Sequence, residues 1–175
     1  MSGTLTIRPA TEADLPAILA IYNEVIANTT AVYSYTPHTL EMRRQWFSER
    51  SATGRPVIIA ERNAEVVGFG SFGPFRDWPA YKYTAEHSLH VRHDVRGHGI
   101  GSALLVALVR EATSRELRTL VGGIDAANTA SIALHTKHGF VECARIRDAG
   151  FKFGRWLDLV FMQLVLDGPA TPSEQ

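Results

Sequence analysis

The 175-residue chain is poor in cysteine, in net charge and in long apolar runs. Its one cysteine, Cys143, excludes an intrachain disulfide and any metal site built on paired cysteines. It also suits a reducing compartment. Eighteen Lys and Arg against eighteen Asp and Glu leave no global basic surface for nucleic acid and no acidic tail. No apolar stretch approaches the length of a membrane span. The opening "MSGTLTIRPATEADLP" lacks the basic start and apolar run of a secretory signal. A cytoplasmic protein without nucleic-acid or membrane partners is expected. The seven histidines do not suggest a metal site. His87 and His90 are three apart on one strand and face opposite sides. His135 and His138 share a helix face, with no carboxylate or cysteine to complete a set.

The length favours one domain, expected over residues 1–166. The small, polar, proline-containing end "DGPATPSEQ" reads as a flexible tail over 167–175. "TLTIRPA" alternates as a first strand. Thr11 and Asp14 form a capping-box variant ahead of a helix carrying Ile18, Leu19, Tyr22, Val25 and Ile26. A loop broken by Pro37 leads to a second helix with Leu40, Trp46 and Phe47. "PVIIAE" and "EVVGFGSF" read as strands joined by a tight turn at residues 62–64, and "TAEHSLHV" as a longer strand. A third helix carries Leu104, Leu105, Leu108 and Val109. "RTLVGGID" is a buried strand, "NTASIALHTKH" a helix stopped at Gly139, and "FVECARI" and "RWLDLVFMQLVL" close the sheet. The expected class is therefore α/β with a mixed sheet flanked by helices, not a regular βαβ alternation.

Between the long strand and the third helix lies "RGHGIG", residues 96–101. A strand, a glycine-rich turn and a helix N-terminus together make an anion site. Backbone N–H groups converge there and the helix dipole adds positive charge. A tight turn that merely packs a helix is the competing reading. A nucleoside-triphosphate loop is excluded because no Gly-Lys-Ser/Thr follows at the required spacing. A dinucleotide fold would place Ser102 where a third small residue belongs and Asp125 near the ribose. That motif, however, normally opens the first βαβ unit.

The pattern Arg96-x-x-Gly99-x-Gly101, together with "NTASIALHTKHGF" at 128–140, resembles the acetyl-CoA loop and late helix of the GNAT superfamily of N-acetyltransferases. The resemblance spans roughly residues 4–166. "AIYNEVIANTTAVY", "AEHSLHVR" and "KFGRWLDLVFMQLVL" are similar to the branch that acetylates phosphinothricin and methionine sulfoximine. The resemblance implies acetyl-CoA as co-substrate, a small amino-acid analogue as acceptor, detoxification as a task and a homodimer as assembly.

It also implies residue roles. The cofactor would lie between strands 84–91 and 119–125, with the backbone of Leu89, His90 and Val91 pairing with the pantetheine arm. The amides of Gly97, His98, Gly99, Ile100, Gly101 and Ser102 would hold the pyrophosphate, with Arg96 adding charge or simply sitting in solvent. Asn128 would cap its helix and touch the cofactor. An ammonium with a pKa of roughly 10 needs a general base at neutral pH. Glu86, a carboxylate on a central strand, matches the family's base. The Val91 N–H would serve the oxyanion. The family's usual tyrosine is replaced by His135, either a proton donor to the departing thiolate or a packing residue. Arg76 suits a carboxylate clamp. Asp77, Trp78, His87 and Ser88 join it as acceptor-lining candidates, with Lys152 weaker. Tyr33, Tyr35, Phe75 and Trp156 are wall candidates. The same chemistry on another amine, or a non-catalytic acyl-CoA-binding regulator, are the alternatives; the Glu86 carboxylate argues against the regulator.

Overall fold

A computed structural model describes residues 3–174. Met1, Ser2 and Gln175, which the expected domain and tail include, lie outside the described residues. Among the described residues, seven strands and four α-helices follow in the order β1 (Leu5–Pro9), α1 (Leu15–Asn28), α2 (Leu40–Ala52), β2 (Val57–Arg62), β3 (Glu65–Pro74), β4 (Thr84–Val91), α3 (Ile100–Ser114), β5 (Thr119–Asp125), α4 (Thr129–Lys137), β6 (Val141–Lys152) and β7 (Arg155–Val165). The strands form one mixed sheet in the order β1-β2-β3-β4-β5-β7-β6. The element order and the mixed sheet agree with the sequence reading. The chain divides into two compact units.

The first unit comprises the chain up to Ser71 and the segment Leu89–Leu105. β1 runs antiparallel to β2, and β2 to β3. The β2–β3 turn is Asn63–Ala64, both at positive φ (53° and 61°), the handedness that matches a twisted two-residue hairpin. Asp14 accepts from the backbone N–H and hydroxyl of Thr11 (2.8 and 3.0 Å), so the capping-box variant forms. It starts a 3₁₀ turn, Glu12–Asp14, which runs into α1. Leu15, Ile18 and Ile21 of α1 pack against Val57, Ile59 and Phe69. Ile21, not Leu19, completes the buried stripe, because the helix begins at Leu15 and its face follows from that start.

One ion-pair network ties α1 to β1 and β2. Arg8 donates through Nη1 and Nη2 to both Asp14 oxygens (2.8 and 2.9 Å) and through Nη2 to Glu61 (2.7 Å). Asp14 is buried, and its bond from Arg8 holds its carboxyl down at about 2.

The second unit comprises Phe72–Ser88 and the chain from Val106 onward. β4 pairs parallel with β5, and β5 antiparallel with β7. The β6–β7 hairpin turns on Phe153–Gly154, both at positive φ (51° and 74°). The core holds Leu108, Leu120, Ile124, Phe140, Leu157, Val160 and Met162. β6 runs on to Lys152, well past the expected 146, because two register shifts let it follow β7 to the turn. Lys152 is thus a buried strand end, not a turn residue. β6 is an edge strand, and the hairpin exposes Val141, Ile146, Phe151, Phe153 and Trp156. The C-terminal segment is held by side chains. Arg118 donates to the carbonyls of Leu166 and Asp167 (2.7 and 2.9 Å), and the Ser173 N–H donates to Tyr83 Oη (3.1 Å).

The Asp14 carboxyl is depressed in the folded chain, so its stabilisation is present above the unfolded value near 4 and fades as pH falls toward 2. D14N should lower stability at pH 7 by about 2 kcal/mol. It should also flatten the loss between pH 5 and 2; urea unfolding of both proteins at pH 7 and 3 measures this.

Candidate active site

In the second unit the parallel β4–β5 register runs from Thr84↔Thr119 to His87↔Gly122. Strand alternation sends Glu86 and His87 to opposite faces. Beside them β5 carries Gly122 and Gly123, two adjacent positions without side chains. A Cβ on Gly123 would stand 3.1 Å from Glu86 Oε1, 3.5 Å from Leu159 and 3.7 Å from Phe161. A Cβ on Gly122 would stand 3.0 and 3.1 Å from the His87 ring and 3.3 Å from His135 Nε2. Bare glycines thus let polar groups approach both faces of β5. The sequence signal was "GG" inside a buried strand, where glycine marks a close approach, and the sequence reading assigned it no role.

Glu86 is half-buried, and its carboxylate, Leu159 and Phe161 all border the bare face of Gly123. Desolvation raises its pKa above the ordinary 4.5, and the charge of Arg76 pulls the other way. Arg76 thus acts on Glu86 through its charge, with no direct ion pair between the two among the described residues. The Arg76 guanidinium lies 4.2 Å over the Phe75 ring, and Nη1 donates to the Phe75 carbonyl (2.7 Å). Phe75 meets Tyr81 and Phe161 edge-on at 5.7 and 6.3 Å. Asp77 and Trp78 are exposed on this loop, with Trp78 stacked on Tyr81. Ser88 is exposed. Trp156 packs against Phe151 at the exposed hairpin, and Lys152 lies 5.1 Å from the Phe153 ring. Burial pushes the Lys152 ammonium down.

The other face holds three rings. His87 and His135 stack nearly parallel (5.1 Å, 9°), and Phe140 meets both edge-on at 5.5 and 5.1 Å. His87 is therefore not in the company of Glu86, despite being next to it in sequence. α4 sets this arrangement at both ends. Asn128 caps it, accepting from the Ser131 N–H (3.1 Å). Gly139 at φ 85° ends it, with N–H bonds from Gly139 to Thr136 O and from Phe140 to His135 O (both 3.0 Å). His135 Nδ1 lies 2.7 Å from Ser131 O. A carbonyl only accepts, so Nδ1 carries the hydrogen and Nε2 of the neutral ring is a bare acceptor. Burial pushes both imidazoles down, His87 to about 3.

The first unit contains the end of β4 and the glycine loop. His90 is buried against Tyr22 and Phe69 at 5.6 and 5.2 Å, and burial with the nearby Arg43 and Arg96 charges pushes it to about 4. A Cβ on Gly68 would stand 2.9 Å from the His90 carbonyl, so bare β3 backbone seats this end of β4. Gly97 and Gly99 have φ of 81° and 78°, and nothing lies within 4 Å of a Cβ built on either. Backbone conformation, not packing, requires glycine there, and the cradle is open. α3 starts at Ile100, so the amides of its first turn point toward the open end of the helix, beside the cradle. Arg96 Nε donates to Val91 O (3.1 Å), and Nη2 lies 3.6 Å from Glu24. His98 Nδ1 faces the carbonyls of Val95 and Arg96. Tyr33 and Tyr35 are exposed in the α1–α2 loop. Among the described residues no cluster of three His, Cys, Asp or Glu is placed to hold a metal ion. No described helix is long and apolar enough to cross a membrane.

Comparison with known proteins adds independent findings. Residues 18–140 match the model of the acetyltransferase (GNAT) family. The chain is 47% identical, over 93% of its length and 95% of the relative's, to the L-methionine sulfoximine/L-methionine sulfone acetyltransferase of Pseudomonas aeruginosa. It is 36% identical to the phosphinothricin N-acetyltransferase of Alcaligenes faecalis, covering 95% of this chain and 85% of that one. Its fold is similar to that of a GNAT superfamily phosphinothricin acetyltransferase from Sinorhizobium meliloti, solved in complex with acetyl-CoA. That match has a TM-score of 0.92 and 38% identity, over 97% of this chain and 92% of that one.

Proposed function

The chain belongs to the GNAT family of acetyltransferases, and from that premise we propose that it transfers the acetyl group of acetyl-CoA to the amine of a small amino-acid analogue of the methionine sulfoximine, methionine sulfone or phosphinothricin type. The observation that carries this reading is Glu86, half-buried with its carboxylate against the bare backbone of Gly123 and under the electrostatic influence of the Arg76 guanidinium. An α-amino acid presents an amine and a carboxylate a few bonds apart, and these two side chains answer both. Phe75, Leu159 and Phe161 offer its side chain an apolar wall.

Glu86 takes a proton from the ammonium, so that the amine lone pair can attack the thioester carbonyl. Its raised pKa makes it a stronger base than a solvated carboxylate. Arg76 clamps the acceptor carboxylate. Asp77, Trp78 and Ser88 bound the exposed side of that acceptor. The backbone of Leu89, His90 and Val91 pairs with the pantetheine amides, and the Val91 N–H serves the oxyanion. The open cradle at Gly97 and Gly99, with the amides through Ser102 and the charge of Arg96, suits a pyrophosphate. Asn128, beyond capping α4, touches the cofactor. His135, with Nδ1 already donating, acts first as an acceptor. Nε2 takes a proton released during the transfer and hands it to the departing sulfur. The assembly is a homodimer, for which the exposed apolar side chains of the β6–β7 hairpin speak.

E86Q should lower kcat by about 10²–10⁴-fold while leaving acetyl-CoA affinity nearly unchanged. In the parent protein the acid limb of kcat/KM should fall above pH 4.5, as the raised carboxyl protonates; equal turnover of E86Q removes the base assignment. A thiol-release assay over methionine sulfoximine, methionine sulfone, phosphinothricin, glutamate and a polyamine tests the acceptor class. Turnover on the polyamine alone overturns it. R76A should raise the acceptor KM by about tenfold or more with little change for acetyl-CoA. Sedimentation at micromolar concentration should give twice the chain mass, and a monomer removes the dimer.

A further inference from the structure

His87 lies in the middle of β4 and is buried, yet neither ring nitrogen has a hydrogen-bond partner among the described residues. Its ring neighbours are His135, Phe140 and the bare backbone of Gly122. Whatever it contributes passes through them. His135 is the one with a chemical handle, a buried Nε2 lone pair that no group among the described residues fills.

We propose that His87 is a positioning residue for the acetyl transfer: its ring, stacked on His135, keeps that imidazole dry and aimed, with Nε2 free to accept from the reactants. This rests on the reading of His135 as a proton acceptor. Three contacts fix the His135 ring. The Ser131 carbonyl holds Nδ1–H, the Phe140 ring meets one edge, and His87 covers one face at 5.1 Å. Ser131 and Phe140 are tied to the helix that carries His135, and only His87 comes from another element. It therefore registers the imidazole to β4, the strand that also bears Glu86. Gly122 permits the approach, since a Cβ there would stand 3.0 Å from the His87 ring and 3.3 Å from His135 Nε2 and crowd both rings.

The arrangement works only while both rings are neutral, and burial keeps them so. The titratable groups bearing on His135 are His87 across the stack and His138 at the end of its own helix. β5 meets the pair with Gly122, and Phe140 adds no charge. Opening the stack admits water to His135 and lessens the penalty on its charged form. Its pKa then rises toward the ordinary 6.5, and a proton occupies Nε2 up to a higher pH.

The test uses the full chain with labelled histidine rings, the His135 signal being assigned by its absence in H135N. In H87A, or in the less disruptive H87N, the His135 midpoint should rise by about one pH unit. In the same variants kcat should fall by about tenfold, its acid limb moving up, with the acetyl-CoA KM held within about twofold. H87F, which keeps a ring in the stack, should restore the His135 midpoint and recover most of the lost kcat. An unchanged midpoint in H87A and H87N, or H87F behaving as they do, overturns the proposal. H135N addresses the underlying reading separately: unchanged turnover there removes His135 from the chemistry, whatever the NMR titration reports.

Discussion

Four residue pairs, Thr84↔Thr119 through His87↔Gly122, hold β4 parallel to β5, and the candidate chemistry hangs on that register. Slipping the pairing by one residue would turn Glu86 to the face now held by His87. In this register the carboxylate stands over Gly123 and the imidazole over Gly122. The consecutive glycines leave both faces of β5 bare at one level. A carboxylate on one face and a histidine pair on the other can thus press against the same short stretch of backbone. Any side chain at either position would push one of them away.

Burial then sorts the charges. Glu86 loses part of its hydration on burial, so its pKa rises, but the Arg76 charge limits the shift. His87 and His135 lose more, and both stay neutral. The same physical cause, desolvation, thus makes the carboxylate a better base and the imidazole an acceptor. The first unit handles a buried charge differently. Arg43 is buried, with its guanidinium 3.9 Å over Tyr22, 4.7 Å over Trp46 and 2.8 Å from His38 Nδ1. Aromatic faces and an imidazole stand where a carboxylate is usual. Arg8 has two carboxylates and is the ion pair that ties α1 to the strands.

Much of the fold was legible because its signals are local. Thr11 with Asp14, Asn128 as a cap, and Gly139 as a helix stop act within one turn of chain. So does the glycine loop, whose φ values need no distant partner. The match to a family also singled out Glu86 from sequence, and the structure sets that carboxylate half-buried on β4. The long-range features were not legible. Nothing in "EHS" says that His87 turns away to stack on a residue 48 positions later. Nothing in "CARIRDAGFK" reveals two register shifts that carry β6 to Lys152, because a bulge answers to its partner strand.

The sequence by itself determined the element order, the turns and caps, the glycine cradle and the residue types available for acetyl transfer. Each depends on backbone conformations and side-chain chemistry that neighbouring residues dictate. Only the tertiary structure decided which of those residues meet. It set Glu86 within reach of the Arg76 charge, separated His87 from Glu86, and paired His87 with His135. It also assigned the acceptor nitrogen of His135, because Ser131's carbonyl occupies the other. Those outcomes depend on strand register and on burial, and both arise from contacts between segments far apart in the chain.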